Sequence, residues 1–166
     1  GTGMLLNNTM YIFDPHPGNA NSIAPGKRML SSMSPTIVMK DGRPLFALGT
    51  PGGTRIFASV LQAIVNVIDH GMTLQQAVEA PRVWTQGQSL DVEHGISPTV
   101  RQELEAMGHE VELVPKVAGG MNGIMLDHER GILRGAACWR ADGAPAGLSG
   151  GPAESTGASR ASVLSS

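Results

Sequence analysis

One stretch of the sequence, Thr36-Ile-Val-Met-Lys-Asp-Gly-Arg-Pro-Leu-Phe-Ala-Leu48, sets the architecture of the chain. Two apolar runs, 36–40 and 45–48, flank the pair Asp41-Gly42, and glycine tolerates the positive φ that a tight hairpin turn demands. Apolar and β-branched residues on both sides of such a pair are typical of paired strands. The stretch therefore predicts a β-hairpin.

The residues after the hairpin carry the periodicity of a helix. Between Arg55 and Asp69 the polar side chains fall on one narrow stripe, and apolar side chains cover the rest of the surface. The stripe consists of Ser59, Gln62, Asn66 and Asp69, and the apolar positions are Ile56, Phe57, Val60, Leu61, Ile64, Val65, Val67 and Ile68. This pattern predicts a helix that is buried on most sides.

Local signals predict two further helices and three further strands. Thr73 with Gln76 forms a capping box for a short helix that Pro81 stops, and Ser97-Pro98 begins another helix. The predicted strands are Glu110–Val114, Gly123–Leu126 and Ile132–Ala136. Because the helices are bunched in the middle of the chain, we expect an α+β fold. In it, helices pack on an antiparallel sheet, and a doubly wound parallel sheet is disfavoured.

Composition excludes several classes of protein. The chain has 166 residues, of which 41% are hydrophobic, and 12 Lys+Arg against 14 Asp+Glu leave a net charge of −2. The sequence has no basic cluster and no apolar run that could cross a bilayer, so we expect neither nucleic acid nor a membrane as partner. Cys138, the single cysteine, is expected to be a buried packing residue. The five histidines are scattered without metal-ligand spacing, so we expect no metal and no cofactor.

A cluster of small polar residues, Leu30-Ser-Ser-Met-Ser-Pro35, precedes the hairpin. Adjacent hydroxyls and their backbone N–H groups can hold a carboxylate, because each supplies a donor. A serine-rich turn without a ligand is the alternative, and composition alone favours it. The residues by themselves leave Ser31 and Ser32 as candidate anion ligands.

A second cluster, Gly49-Thr-Pro-Gly-Gly-Thr-Arg55, leads from the predicted strand into the predicted helix. Adjacent glycines at a helix N-terminus expose N–H groups at the positive end of the helix dipole, where an anion or an oxyanion binds. Gly52 and Gly53 are therefore candidate oxyanion donors, and a turn that only needs glycine for its φ angles is the alternative. A P-loop is excluded because no Gly-Lys-Ser/Thr follows.

Five motifs resemble, in order and spacing, the small subunit of the γ-glutamyltranspeptidases. They are Leu6-Asn-Asn-Thr-Met10, Ala24-Pro-Gly-Lys-Arg28, Leu30-Ser-Ser-Met-Ser-Pro-Thr36, Pro51-Gly-Gly-Thr-Arg55 and Ala77-Val-Glu-Ala-Pro-Arg82. The resemblance covers roughly residues 4–148, the C-terminal part of that subunit. Its most specific feature is Ser-Ser-Met-Ser-Pro in register with Pro-Gly-Gly.

The resemblance implies an N-terminal-nucleophile hydrolase fold, an αββα sandwich of which this chain holds a small-subunit portion. In this family a precursor cuts itself to free a threonine, which takes a γ-glutamyl group from glutathione or a related amide and passes it to water or an amino acid. By position, Ser31 and Ser32 match the serines that hold the substrate's α-carboxylate, and Gly52 and Gly53 match the oxyanion glycines. A large subunit as partner and a periplasmic or extracellular location are also implied.

Two positions depart from the family pattern. The nucleophilic threonine lies upstream of Gly1, and neither Thr2 nor Thr9 takes its place, so we expect this chain alone to lack amidase activity. The acidic residue that pairs with the glutamyl α-ammonium falls at Ile12, and the glutamine before it falls at Thr9. Since isoleucine cannot pair with an ammonium group, a glutaryl amide suits the position better, unless Asp14 reaches the ammonium instead. This stretch resembles the cephalosporin acylase branch.

The sequence therefore predicts one small-subunit catalytic domain, residues 1–152, without its nucleophile segment. The Gly, Ser, Ala and Thr composition of residues 153–166 predicts a disordered tail. The predicted function is hydrolysis or transfer of a γ-glutamyl or glutaryl group through an acyl-threonine. The alternative is a relative without catalysis that only binds or packs.

Overall fold

The hairpin predicted from residues 36–48 is present in the computed structural model, which describes residues 3–87 and 89–147. Strands β1 (Thr36–Lys40) and β2 (Arg43–Gly49) pair antiparallel, with Thr36 opposite Leu48. Asp41 and Gly42 between them both have positive φ, 51° and 75°, as the turns that join two adjacent strands require. The hairpin prediction is confirmed.

The described residues divide into two units, one up to Ser32 and one from Met33 onward. The further elements of the second unit are α1 (Ile56–Ile68), α2 (Leu74–Glu79), β3 (Val83–Thr85), β4 (Leu90–Glu93), α3 (Pro98–Ala106), β5 (Val111–Val114), β6 (Asn122–Asp127) and β7 (Ile132–Ala137). None of the helices in residues 3–87 and 89–147 is long and apolar enough to cross a membrane. The predicted tail, 153–166, lies outside the described residues.

Four strands form one antiparallel sheet in the order β1-β2-β6-β7. Helices α1 and α2 pack on its inner face. The core that joins them contains Phe46, Leu48, Ile56, Val60, Ala63, Leu74, Val78 and Met121. The capping box of α2 is confirmed, since Thr73 and Gln76 exchange hydrogen bonds, and the Ser97 hydroxyl accepts from the N–H of Val100. The predicted α+β arrangement of helices on an antiparallel sheet is confirmed.

A second sheet, in the order β3-β4-β5, was not expected from the sequence. Strand β5, predicted at Glu110–Val114, pairs parallel with β4, which in turn pairs antiparallel with β3, so it lies outside the four-stranded antiparallel sheet. Strand β4 is only four residues long, Leu-Asp-Val-Glu, and its two acidic residues, Asp91 and Glu93, are buried although polar residues in an alternating strand normally face solvent. β3 is only three residues long.

Helix α1 is not buried on most sides, and that expectation was wrong. Phe57 and Leu61, one turn apart on the same face, are 61% and 57% exposed, and Ile68 further along is half exposed. The apolar periodicity predicts that this face is covered, but no described residue of the chain covers it. Only the face of α1 that carries Ile56, Val60 and Ala63 is buried.

The outer face of the four-stranded sheet is apolar as well. A row of paired residues crosses all four strands on this face: Ile37, Ala47, Ile124 and Gly135. Ile37 is 65% exposed and Ile124 is 47% exposed. A sheet that is apolar on both faces is typical of an inner layer with a second layer packed on it.

The first unit consists of a short 3₁₀ turn and a closed loop. The turn covers Thr9–Ile12. Beyond it, the Asp14 N–H donates to the Asn21 carbonyl at 3.0 Å and the Ile23 N–H donates to the Asp14 carbonyl at 3.3 Å. These bonds close the loop and place its two ends side by side.

Candidate functional site

The two candidate oxyanion glycines lie in a loop between β2 and α1. Gly52 precedes a 3₁₀ turn, Gly53–Arg55, and α1 begins only at Ile56. Gly52 therefore precedes a 3₁₀ turn and Gly53 begins it, so neither glycine lies at the first turn of an α-helix as the sequence suggested. Among residues 3–87 and 89–147, no acceptor meets the N–H of Gly52 or Gly53. The loop thus presents two adjacent backbone donors that can bind an anion.

A second loop, residues 117–119, holds the glycine loop in place. The N–H of Gly119 donates to the carbonyl of Pro51 at 2.8 Å, and the Thr50 hydroxyl donates to the carbonyl of Gly119 at 3.0 Å. A Cβ on Gly52 would lie 2.6 Å from Cβ and 2.9 Å from Cα of Ala118, and Gly52 has φ +149°. Gly52 therefore cannot be replaced without moving one of the two loops.

Gly53 is under a different constraint. It has φ +60°, a left-handed conformation that favours glycine, but a Cβ there would meet nothing within 4 Å. Its requirement for glycine is conformational, whereas that of Gly52 is both conformational and steric. The two glycines can therefore be distinguished by substitution.

Arg82 supports loop 117–119 from the interior. It is 2% exposed, and its Nη1 donates to the carbonyls of Val117 and Gly119 at 3.2 Å each. Its Nη2 donates to the carbonyl of Val78 near the end of α2 at 3.1 Å. Burial and the positive charge of Arg140 lower the pKa of Arg82. The sequence alone predicts no role for Arg82, although a charged residue directly after Ala-Pro at a helix end is a visible signal.

A buried carboxylate, Glu93, connects Arg82 with a second arginine, Arg140. The Nε of Arg140 donates to Glu93 Oε1 at 2.7 Å, and its Nη2 donates to Oε2. Glu93 also accepts the N–H groups of Val117 and Arg82, at 2.7 and 2.9 Å. Burial alone would raise the pKa of Glu93, but the hydrogen bonds from Arg140, Val117 and Arg82 outweigh burial and hold the pKa below its ordinary value. Glu93 is therefore an ionised anchor for the Val117 end of the supporting loop.

Cys138 belongs to the same buried region. It is 1% exposed, and its Sγ accepts the N–H of Met121 at 3.1 Å. Burial would raise the pKa of this thiol, but hydrogen bonds from Met121 and Arg140 lower it more. Burial of Cys138 is confirmed, and its contacts are structural.

The other predicted site residues lie in the first unit. The Thr9 hydroxyl donates to Asn7 Oδ1 at 2.5 Å, and the carbonyl of Ile12 accepts from Asn21 Nδ2 at 2.7 Å. Ser31 and Ser32 end this unit. The structure therefore places Thr9 and Ile12 on one 3₁₀ turn and gives Ile12 a partner, Asn21, which was not a candidate from sequence.

Asp14, the alternative partner for an ammonium group, is engaged within its own loop. Its Oδ1 accepts the N–H of His16 at 2.9 Å and lies 3.0 Å from Nδ1 of the same residue, and its Oδ2 accepts from Asn19 at 2.7 Å. Hydrogen bonds from the His16 main chain, the Asn19 amide and the His16 ring lower the pKa of Asp14. The carboxylate is therefore committed to closing this loop.

Candidate metal ligands are dispersed in the structure. In the part of the chain that the structure describes, no three His, Cys, Asp or Glu side chains are grouped so that they could hold a metal ion.

Comparison with known proteins places these features in one family. The family model for gamma-glutamyltranspeptidase matches residues 1–148. The acylase ACY 1 proenzyme of Pseudomonas sp. (strain SE83) is 62% identical over 151 residues, 91% of this chain and 27% of that protein. The glutathione hydrolase proenzyme of Bacillus subtilis (strain 168) is 43% identical over 147 residues, 88% of this chain and 25% of that protein. The chain thus spans about a quarter of the length of these relatives.

Two solved structures share the fold. An acivicin-inhibited γ-glutamyltranspeptidase superposes on this chain with a TM-score of 0.77 at 40% identity. The match covers 86% of this chain and 83% of the chain in that structure. The cephalosporin acylase from Bacillus halodurans superposes with a TM-score of 0.80 at 31% identity, over 90% of this chain and 28% of its own. The chain therefore carries part of an N-terminal-nucleophile hydrolase fold, and it belongs to the γ-glutamyltranspeptidase family, close to the cephalosporin acylases.

Proposed function

We propose that this chain is the small-subunit portion of an acylase that cleaves a glutaryl or γ-glutamyl amide. The observation that carries the proposal is the pair of N–H groups at Gly52 and Gly53, which meet no acceptor among the described residues, on a loop that is hydrogen-bonded to Gly119 and packs on Ala118. Donors fixed before the reaction begins stabilise developing negative charge without reorganising, and this is the main requirement for acyl transfer. The nucleophilic threonine and the acyl-threonine intermediate of the proposed reaction are taken from the family.

In the proposed reaction the hydroxyl oxygen of an upstream threonine attacks the amide carbonyl carbon, and its proton passes to the threonine's own α-amino group. The carbonyl oxygen becomes an oxyanion that accepts from the N–H groups of Gly52 and Gly53. The C–N bond then breaks, and the amine leaves with the proton. Water or an amino acid attacks the acyl-threonine, releases the acyl group and restores the hydroxyl.

The substrate proposal is a glutaryl amide in preference to a γ-glutamyl amide. Ile12 stands where the family has an acid, and the Asp14 carboxylate is occupied by His16 and Asn19. A glutamyl ammonium would therefore lose its hydration without a partner, whereas a glutaryl group presents only CH₂ at that point. The 62% identity to an acylase, against 43% to a glutathione hydrolase, supports the same choice.

The proposed partner is the large subunit of the same precursor. The exposed apolar face of α1 and the apolar outer face of the four-stranded sheet both require a covering layer. The relatives carry about three quarters of their length outside the matched region. We refer to this chain together with the upstream threonine segment and the large subunit as the assembled enzyme. Its proposed location is periplasmic or extracellular, as in the family.

Replacing Ile12 by aspartate is expected to shift substrate preference toward γ-glutamyl amides. The new carboxylate would pair with the ammonium group of a glutamyl substrate, whereas in a glutaryl substrate it would lie against CH₂ without a partner. We expect the ratio of kcat/KM for matched γ-glutamyl and glutaryl anilides to rise by about tenfold or more, as for a charge-assisted hydrogen bond. Ile12→Asn is the uncharged control. A native enzyme that already prefers γ-glutamyl anilides would contradict the glutaryl proposal.

Replacing both Ser31 and Ser32 by alanine is expected to weaken recognition of the distal carboxylate of the acyl group. Hydrogen bonds to a charged group contribute roughly 1.5–3 kcal/mol each, so loss of both should lower kcat/KM for a glutaryl anilide by about a hundredfold or more. A substrate whose acyl chain ends in a methyl group should be affected little. Equal losses for both substrates would assign the serines to a structural turn.

A further inference from the structure

The side chain of Asn21 connects two parts of the first unit that carry proposed substrate-binding residues. Its Nδ2 donates to the carbonyl of Ile12 at 2.7 Å, and its Oδ1 accepts the N–H of Leu30 at 3.0 Å. Ile12 is nine residues before Asn21, and Leu30 is nine residues after it. Leu30 directly precedes Ser31.

The chemistry of this connection requires an amide. One partner is a carbonyl, which needs a donor, and the other is an N–H, which needs an acceptor, so the orientation of the amide group is fixed by its partners. A carboxylate could accept from Leu30 but could not donate to Ile12. The main chain of Asn21 is itself held, because its carbonyl accepts the N–H of Asp14 at 3.0 Å.

We propose that Asn21 is a positioning residue that sets the distance between the Ile12 turn and the Ser31-Ser32 motif. The proposal rests on the proposed function, in which Ile12 lies against the CH₂ next to the distal carboxylate of the acyl group and the serines hold that carboxylate. Asn21 does not touch the substrate in this arrangement. It acts on substrate selection by holding these two contacts in place together, at the far end of the acyl chain.

The test is steady-state kinetics of the assembled enzyme with three anilides: glutaryl, succinyl, which is one CH₂ shorter, and a methyl-terminated acyl group of the same length as glutaryl. Asn21→Ala releases both bonds, so KM for the glutaryl anilide should rise by about tenfold or more while kcat changes little. The preference for glutaryl over succinyl should fall. The methyl-terminated substrate should be nearly unaffected.

A second variant tests the two bonds separately. Asn21→Asp has the same size and keeps the acceptor for Leu30, but it loses the donor to Ile12 and faces that carbonyl with a negative oxygen. We expect an intermediate loss of glutaryl preference, with the unfolding midpoint of the enzyme lowered only slightly. Asn19→Ala is the matched control, because Asn19 lies in the same loop and its amide bonds to Asp14 instead of Ile12 or Leu30.

Combining the Asn21 and serine substitutions distinguishes a positioning role of Asn21 from a general contribution to the stability of the loop. If Asn21 acts through the serines, Asn21→Ala should have little further effect in an enzyme that already carries Ser31→Ala and Ser32→Ala. Equal losses on all three substrates, or the same effect from Asn19→Ala, would overturn the proposal for Asn21. If the serine double variant itself shows no selectivity for the carboxylate, the proposed function of the serines fails, and that result is separate from the outcome for Asn21.

Discussion

Alanine at Gly52 is expected to lower kcat of the assembled enzyme about 100- to 1,000-fold, the loss typical of one misplaced oxyanion donor. The added Cβ would lie 2.6 Å from Cβ of Ala118 and 2.9 Å from its Cα, and the φ of +149° is unfavourable for any residue with a side chain. The loop must therefore move, and its N–H groups move with it. Gly53→Ala is the matched comparison, because its Cβ meets nothing within 4 Å.

The left-handed conformation at Gly53 costs alanine only about 1–2 kcal/mol, so we expect Gly53→Ala to stay within about tenfold of native kcat. Combining Gly52→Ala with Ala118→Gly removes one side of the steric overlap and should restore part of the lost activity. The measurement is kcat from steady-state kinetics at saturating substrate, with circular dichroism and subunit association as checks on folding. Near-native kcat in a folded Gly52→Ala enzyme would remove the glycine loop from the proposed mechanism.

Glu93→Gln is expected to destabilise the protein by about 3–5 kcal/mol, as for the loss of one partner of a buried ion pair. Glu93 is 1% exposed and is the acceptor for Arg140 and for the main chain at Arg82 and Val117. Glutamine keeps the size of the side chain but leaves two buried arginines without a negative charge. The free energy of unfolding in urea measures the effect. Asp127→Asn, which disrupts the more exposed pair between Asp127 and Arg134, is the control and should cost much less.

The destabilisation should also depend on pH in a defined direction. Because the pKa of Glu93 is lowered on folding, its contribution is fully present above the unfolded-state pKa and is lost as the pH falls through the folded-state pKa. The stability difference between the native protein and Glu93→Gln should therefore be largest near neutral pH and should shrink in acid. A difference that does not change with pH would show that Glu93 does not contribute through its charge.

The elements that depend on local sequence were predictable. The Asp41-Gly42 turn, the Thr73 capping box and the Ser97-Pro98 helix start each satisfy their hydrogen bonds or φ angles within a few residues, so a short window contains the whole signal. The anion site at Gly52 and Gly53 stays a prediction. The sequence indicated a glycine loop between a strand and a helix, but it did not indicate the 3₁₀ turn that separates the loop from α1.

The parts of the site that depend on distant residues were not predictable from such windows. The steric requirement at Gly52 comes from Ala118, and the anchor of loop 117–119 comes from Arg82 and Glu93. A buried glutamate in a strand looks like a surface residue until its arginine partner is known. The prediction that α1 is buried on most sides was wrong for a related reason. Apolar periodicity indicates that a helix face is suited to be covered, but it does not show which residues cover it.

The hold of loop 117–119 on the glycine loop has a consequence for the order of events during biosynthesis. Thr50 and Gly119 are 69 residues apart. A ribosome that adds about 5–20 residues per second needs about 3–14 seconds to make that interval, and during this time the glycines exist without the contacts that fix their N–H groups. The loop between β2 and α1 therefore reaches its final hydrogen bonding only after residue 119 has been added to the chain, so it cannot complete its folding as its own residues emerge.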